Sequence, residues 1–187
     1  MTILDIIKKR RSVRCFKDKP VEKKKIKILL ESARWAPSWA NKQCWRFIVV
    51  EDKDLLKKLI EIQSEWNRRW LLNINLIFVI CADPSLSGYC NNQSYYLVDA
   101  SIAAEHIALT ATELGLGSCW VGGGIDEAKV KSILKIPPEI RVVALLPIGY
   151  PGKCVDPKIE AVGKKFHSNR KPIEEIAYLN IYGNSYK

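Results

Sequence analysis

An α+β fold is what this sequence predicts, and three observations point to it. Apolar patterns of helical and of strand period alternate along the 187 residues, yet the connections are too short to spell a regular run of βαβ units. No G-x-G-x-x-G follows a strand and no G-x-x-x-x-G-K-[ST] occurs, so the fingerprints of a doubly wound dinucleotide fold and of a P-loop are missing; "GLGSCWVGGG" has the wrong spacing and follows a helix. A long alanine-rich helical pattern occupies the middle of the chain, where small side chains suit a central buried helix.

The elements follow in order. Thr2 with Asp5 reads as a capping box, and Ile3, Ile6 and Ile7 share one face of a helix running to about Arg10. Residues 12–17 read as extended. Pro20 opens the next helix, whose Ile26, Leu29, Leu30 and Ala33 fall at i, i+3, i+4 and i+7; Pro37 ends it by restricting Ala36. "CWRFIVVE" is a strand and Asp54 to Ile62 a short helix. Residues 63–73 fit neither pattern, although Trp66 and Trp70 stand four apart, as on a helix. "NLIFVICAD" is apolar throughout, as a strand covered on both faces would be. From Ser94 to Leu114 the residues Leu97, Ala100, Ala104, Ile107, Ala108, Ala111 and Leu114 keep helical spacing, with Gly115 and Gly117 to end the helix. "SCWVGG" is a short strand, "DEAKVKSIL" a helix, and "RVVALLPIGYP" a strand ending in a turn. The tail from Pro172 carries Ile173, Ile176, Leu179, Ile181 and several tyrosines, and so needs an apolar surface to bind.

Composition excludes several classes. Hydrophobic residues make up 48% and charged residues 27%, the balance of an ordinary globular domain, so the whole chain, 1–187, is expected to be one domain. No apolar run approaches the roughly 18 residues of a membrane span, and the N-terminus lacks an apolar stretch before a cleavage site. Six cysteines include no C-x-x-C pair, and only His106 and His167 could join them, so no metal site is expected. Cys44 and Cys81 lie in apolar runs as buried thiols, and a reducing cytoplasm is the expected home. The net charge of +10 is spread out and matches no nucleic-acid-binding motif.

Four short stretches carry candidate chemistry. "RRSVRCF" sets Arg10, Arg11 and Arg14 around Ser12. Arginine forks and a hydroxyl suit a phosphate, and alternate residues of an extended segment point the same way, so Arg10, Ser12 and Arg14 converge while Arg11 points elsewhere. A basic helix end is the equal alternative. "APSWANKQCW" offers Pro37, Ser38, Trp39, Asn41 and Gln43, amides and flat apolar surface suited to a polar ring, or simply a helix stop and turn. "GLGSCWVGGGID" places Gly122, Gly123 and Gly124 after a strand, where backbone N–H groups can approach a ligand, or form a turn. "HSNRKPIEEI" adds Arg170 and Lys171, as further anion ligands or surface charge. No Ser/His/Asp set or carboxylate pair stands out, and His106 reads as a structural residue, so hard chemistry would belong to a cofactor.

Taken together and in this order, "RRSVRCF", "APSWANKQCWRFIVV", "ELGLGSCWVGGGID" and "NRKPIEEI" make the chain resemble the FMN-dependent nitroreductase family from Thr2 to roughly Glu175. The resemblance implies a three-layer fold, a central mixed sheet flanked by helices, and an intertwined homodimer in which the tail, about 172–187, packs on the partner subunit. It implies that Arg10, Ser12 and Arg14 hold the FMN phosphate, with Arg11 near the ribityl chain or flavin and Arg170 and Lys171 completing the site. Pro37, Ser38, Trp39 and Asn41 would come from the other subunit, Gly122, Gly123 and Gly124 would lie over the flavin, and Asn67 would contact the ring. The implied activity is ping-pong hydride transfer from NADH or NADPH through flavin N5 to a small-molecule acceptor such as a nitroaromatic or quinone. Dehydrogenation, reductive dehalogenation or flavin storage are the alternatives on the same fold. Cys44 stands where the family often has proline, and residues 63–73, with Trp66, Arg68, Arg69 and Trp70, fall where family members differ.

Overall fold

The computed structural model describes residues 2–165 and 169–186; His167 and Ser168 of the fourth stretch lie outside the described residues. Helix α1 (Ile3–Lys9) starts at a true capping box: the Asp5 amide donates to Thr2 Oγ1 at 3.2 Å and the Thr2 amide to Asp5 Oδ2 at 2.8 Å. Helix α2 (Lys23–Arg34) begins three residues after Pro20, not at it. Glu22 is the N-cap in extended conformation, because Val21 is drawn into the core and holds the chain straight up to that point. Strand β1 (Trp45–Val50) leads to α3 (Lys53–Glu61), capped by Asp52, and to α4 (Glu65–Leu71), capped by Ser64. The unassigned stretch is therefore helical, with Trp70 buried and Trp66 half-buried. Strand β2 (Ile77–Ala82) is buried at every position.

A small hairpin of β3 (Tyr89–Cys90) and β4 (Gln93–Ser94) was not foreseen; Asn91 and Asn92, both at positive φ, form its turn. Helix α5 (Tyr95–Glu113) runs through the middle of the molecule, and Gly115 at φ 73° follows its end. Strand β5 is shorter than the sequence suggests, Gly117–Ser118, with Val121 returning to bridge Leu145. Helix α6 (Glu127–Leu134), strand β6 (Arg141–Gly149) and helix α7 (Pro157–Lys165) complete the order. Helix α7 was missed although "DPK" announces it: Asp156 accepts from the Lys158 amide at 2.8 Å, and proline suits a first turn.

The sheet runs β1-β2-β6-β5 with antiparallel neighbours, and Ser12 adds a parallel bridge to Ser118 at its edge, which makes it mixed. The two-residue period of β2 divides the core. Phe78, Ile80 and Ala82 pack with α2 and α5 through Leu29, Ala33, Ala104 and Ile107. Ile77, Val79 and Cys81 pack on the other side with Leu56, Leu59, Trp70, Leu71 and Val130 of α3, α4 and α6. This is the three-layer arrangement, helices on both faces of one sheet. Among the described residues no helix is long and apolar enough to cross a membrane.

Cys44 and Cys81 are buried free thiols, and desolvation pushes them up to about 11 and about 12 respectively. Cys15 and Cys154, which no spacing rule pairs, form a disulfide across 5.1 Å between Cα atoms.

Candidate cofactor site

The arginine segment is positioned by the sheet edge. The Val13 amide donates to the Ser118 carbonyl at 2.9 Å, the Lys17 amide to Tyr150 at 2.8 Å, and the Gly152 amide to Cys15 at 2.7 Å. The fit is close. A Cβ on Gly117 would fall 2.6 Å from Val13 Cγ2, and one on Gly152 would fall 2.8 Å from the Phe16 carbonyl carbon. A side chain at either position would force the segment to shift, so the two glycines allow it to lie close against β5 and the turn after β6.

Burial pushes the nearby Cys119 thiol up, and the positive charges of Arg14 and Arg10 and the Ser12 hydroxyl oppose the rise. Arg11 turns back instead, donating to the carbonyl of Lys8 and, at 2.7 Å, to that of Arg10 at the end of α1. Arg11 thus serves the helix end, yet it also lines one cavity with Ser12 and Arg14, which Arg10 does not, so the expected sorting of Arg10, Ser12 and Arg14 away from Arg11 is not what the cavity shows. Arg10 is steadied by Glu105 of α5 at 3.5 Å, a carboxyl whose pKa burial raises and Arg10 partly restores. Among the described residues Arg14 has no carboxylate partner; its contact is the Ser12 carbonyl at 3.5 Å.

Two adjoining cavities share Arg14, Cys15, Cys154 and Ile159. One, of about 380 Å³, adds Arg11, Ser12 and Gly152; the other, of about 440 Å³, adds Arg69, Trp70, Asn73 and Lys153. A further cavity of about 470 Å³, lined by Lys53, Lys57, Glu61, Arg68 and Asn75, contains none of the four stretches' residues. Asn67 sits on α4 one turn from Trp70, whose indole N–H donates to its Oδ1 at 3.3 Å; this leaves the amide N–H groups available.

The glycines follow the strand that touches Ser12. Gly122, Gly123 and Gly124 are exposed, and Gly124 has φ 75°. A Cβ at Gly123 or Gly124 would meet nothing within 4 Å, so their backbone is open to a ligand, whereas at Gly122 it would collide with the Trp120 indole nitrogen at 2.6 Å.

The loop of the second stretch is held by a residue the sequence reading missed. Asp99 of α5 is 3% exposed and accepts three hydrogen bonds: from the Trp39 amide at 3.0 Å, the Ser87 hydroxyl at 2.8 Å and the Cys44 thiol at 3.4 Å. A carboxylate inside the alanine-rich apolar stripe was the available signal. Ser38 accepts from the Gln43 amide at 2.9 Å, and Ala40, Asn41 and Gln43 all lie at positive φ, a concentration of backbone strain that only a well-anchored loop sustains. The Trp39 ring packs on Gly88 and on Tyr95, ring centroids 4.5 Å apart, leaving Pro37 and Asn41 exposed.

The fold does not bring the late cations to this place through any described contact. Arg170 donates to its neighbour Asn169 at 3.2 Å and Lys171 lies 4.0 Å from Glu175. His106 is structural as read, its Nδ1 3.1 Å from the Ser32 carbonyl oxygen.

Comparison with known proteins decides the lineage. The family model described as "Nitroreductase family" matches residues 7–71 and 67–150. The chain belongs to the nitroreductase family. A relative from Archaeoglobus fulgidus, provisionally named an NADH dehydrogenase/NAD(P)H nitroreductase, is 38% identical over 151 residues, covering 79% of this chain and 84% of its own. The crystal structure of a nitroreductase family protein from Clostridium novyi is 35% identical with a TM-score of 0.77, covering 100% of this chain and 97% of that one. An FMN-dependent nitroreductase from Clostridium difficile is 35% identical with a TM-score of 0.70, covering 90% and 99%. Every candidate residue of this nitroreductase from Arg10 to Gly124 falls inside the family match, and Arg170 and Lys171 lie beyond it.

Proposed function

We propose that this nitroreductase is an FMN-dependent oxidoreductase that carries electrons from NADH or NADPH to a small-molecule acceptor such as a nitroaromatic or quinone. The observation that carries the reading is the Ser12–Ser118 bridge. It holds the segment that carries Arg10, Ser12 and Arg14 beside a strand that leads to the open backbone of Gly123 and Gly124. An anionic tail and a polar ring fit such a pair of features.

Arg10, Ser12 and Arg14 bind the phosphate by charge-assisted hydrogen bonds, with Arg10 oriented by Glu105. Arg11 serves the ribityl side; Arg170 and Lys171, which no described contact within the chain brings to the Arg10–Arg14 segment, are left out of the grip. Asn67 offers its free amide N–H groups to the ring edge, and Gly122, Gly123 and Gly124 offer backbone N–H groups to its polar atoms. FMN held there would supply the two-electron chemistry that links nicotinamide oxidation to acceptor reduction, the two substrates using the site in turn. No side chain needs to act as acid or base; the chain's work is to grip, orient and exclude water.

A homodimer completes the site. Ile3, Leu4 and Ile7 of α1, Leu97 and Val98 of α5, and Ile173, Ile176, Leu179 and Ile181 of the tail are all exposed, more apolar surface than a monomer ordinarily leaves open. The tail presents it in a defined shape: the Leu179 amide donates to Asn184 at 2.7 Å and the Tyr186 amide to Ala177 at 2.9 Å. In the dimer the strained loop with Pro37, Ser38, Trp39 and Asn41 faces the partner's cofactor. A cytoplasmic home is part of this reading: the buried free thiols fit it, and the Cys15–Cys154 disulfide is the feature that runs against it.

The test is the absorbance spectrum of the purified protein between about 300 and 550 nm, before and after denaturation, with the released pigment identified. FMN is expected, and Arg10→Ala with Arg14→Ala should purify colourless. A fully yellow double variant would remove the phosphate assignment. Bound FMN that neither nucleotide reduces in stopped flow would make the protein a flavin carrier rather than an enzyme.

A further inference from the structure

We propose that Cys15 and Cys154 form a reversible thiol–disulfide switch that sets how tightly the cofactor is held. The inference rests on the FMN reading above. Cys15 directly follows Arg14, and its bond to Cys154 forms the ridge shared by the two cavities on either side of that arginine. Neither sulfur is sealed in the core: both cysteines are half-buried, within reach of a small thiol or disulfide. Arg14 and Lys153 line the same cavity as the two sulfurs. A cavity lined by cations favours the approach of anionic thiols and disulfides such as glutathione. The chain's other half-reaction chemistry does not use these sulfurs.

Opening the bond leaves most of the anchoring intact. The Gly152 amide still donates to Cys15 and the Lys17 amide to Tyr150, so the strand stays on the sheet. What is released is the segment from Lys153 to Asp156, a wall of the cavity beside Arg14; among the described residues its other ties are the packing of Cys154 and Ile159 on the core and the long Asp156–Arg69 pair at 3.9 Å. With the bond closed, Arg14 and that wall are preorganised for the phosphate; with it open they must be ordered by the ligand, which weakens binding.

The exchange balances with glutathione. One cysteine thiolate attacks glutathione disulfide, forming a mixed disulfide and expelling one glutathione thiolate; the second cysteine thiolate attacks the mixed disulfide and expels the other. Two protein thiols are oxidised, one glutathione disulfide is reduced to two glutathiones, and the reverse sequence opens the bond.

Full-length protein loaded with FMN is equilibrated across ratios of oxidised to reduced glutathione. Free thiols are trapped and counted by mass spectrometry, and FMN release on dilution is followed by flavin fluorescence. FMN affinity should fall about three- to tenfold as the bond opens, with both transitions at the same ratio. Cys154→Ser should show the weaker affinity at every ratio; if that variant fails to accumulate, the wild-type titration decides alone. A bond that resists reduction in the folded protein, or equal FMN affinity in two chemically verified redox states, overturns the switch and leaves the FMN site standing. A chain that holds no FMN in either state overturns the FMN reading and the switch with it.

Discussion

Replacing Asp99 by alanine tests the way α5 controls the loop of the candidate site. The side chain is almost fully buried and accepts from the Trp39 amide, the Ser87 hydroxyl and the Cys44 thiol. Alanine removes both acceptor oxygens, and with them all three hydrogen bonds, at once. It leaves the Trp39 N–H and the Ser87 hydroxyl without partners in a partly dry environment, each worth about 1–3 kcal/mol when orphaned. Some of that returns as relief from burying a carboxylate, so the net loss should be about 2–4 kcal/mol. For a chain of this size that lowers Tm by about 5–15 °C. Asp99→Asn keeps an acceptor for the Trp39 amide and offers Ser87 and Cys44 a donor they can accept, so it should lose less than about 1.5 kcal/mol. Thermal melting of the three proteins, with FMN retention measured alongside, reads both quantities. Alanine should also release FMN faster than asparagine, because residues 38–43 lose their tether. An Asp99→Ala protein that melts within about 2 °C of the parent, or an asparagine variant as damaged as the alanine one, would refute the reasoning.

Three further outcomes follow from other parts of the molecule. Gly117→Ala should lose about 1–3 kcal/mol in urea unfolding, because its Cβ would lie 2.6 Å from Val13 Cγ2; adding Val13→Ala should recover part of the loss. Glu127 is held down to about 2 chiefly by its hydrogen bonds from Arg141, 2.9 and 3.0 Å long. Its folded pKa lies below its unfolded one, so its contribution is present above about pH 4.5 and is lost as pH falls towards about 2. Glu127→Gln should therefore lower stability by about 1–2 kcal/mol at pH 7 after solvent screening and flatten the acid-unfolding curve in that window. Removing the disulfide with Cys15→Ser should lower Tm irrespective of FMN, since the bond closes a loop with a sequence separation of 139 residues; a melting curve of the cofactor-free protein checks it.

Several elements could be read from the chain because their signals are local. The i, i+3, i+4 spacing marks α2 and α5, the unbroken apolar run marks β2, and Thr2 with Asp5 marks the start of α1. The start of α2 was misplaced because Val21 answers to the core, not to Pro20. The length of β5 was overestimated because pairing with β6 ends at Ser118 and resumes only at Val121.

The sequence by itself determined the local states: which stretches coil, which extend, and which short motifs could grip an anion or expose a backbone. Only the tertiary structure decided who meets whom. It set the strand order, laid Ser12 parallel to Ser118, placed Cys15 opposite Cys154, and turned the carboxylate of Asp99 towards the Trp39 loop. The reason is physical. Helical and strand periods are repaid by neighbours a few residues away, whereas these pairings join residues far apart in the chain. They become favourable only after both faces of the sheet are covered and the polar groups left inside have found partners.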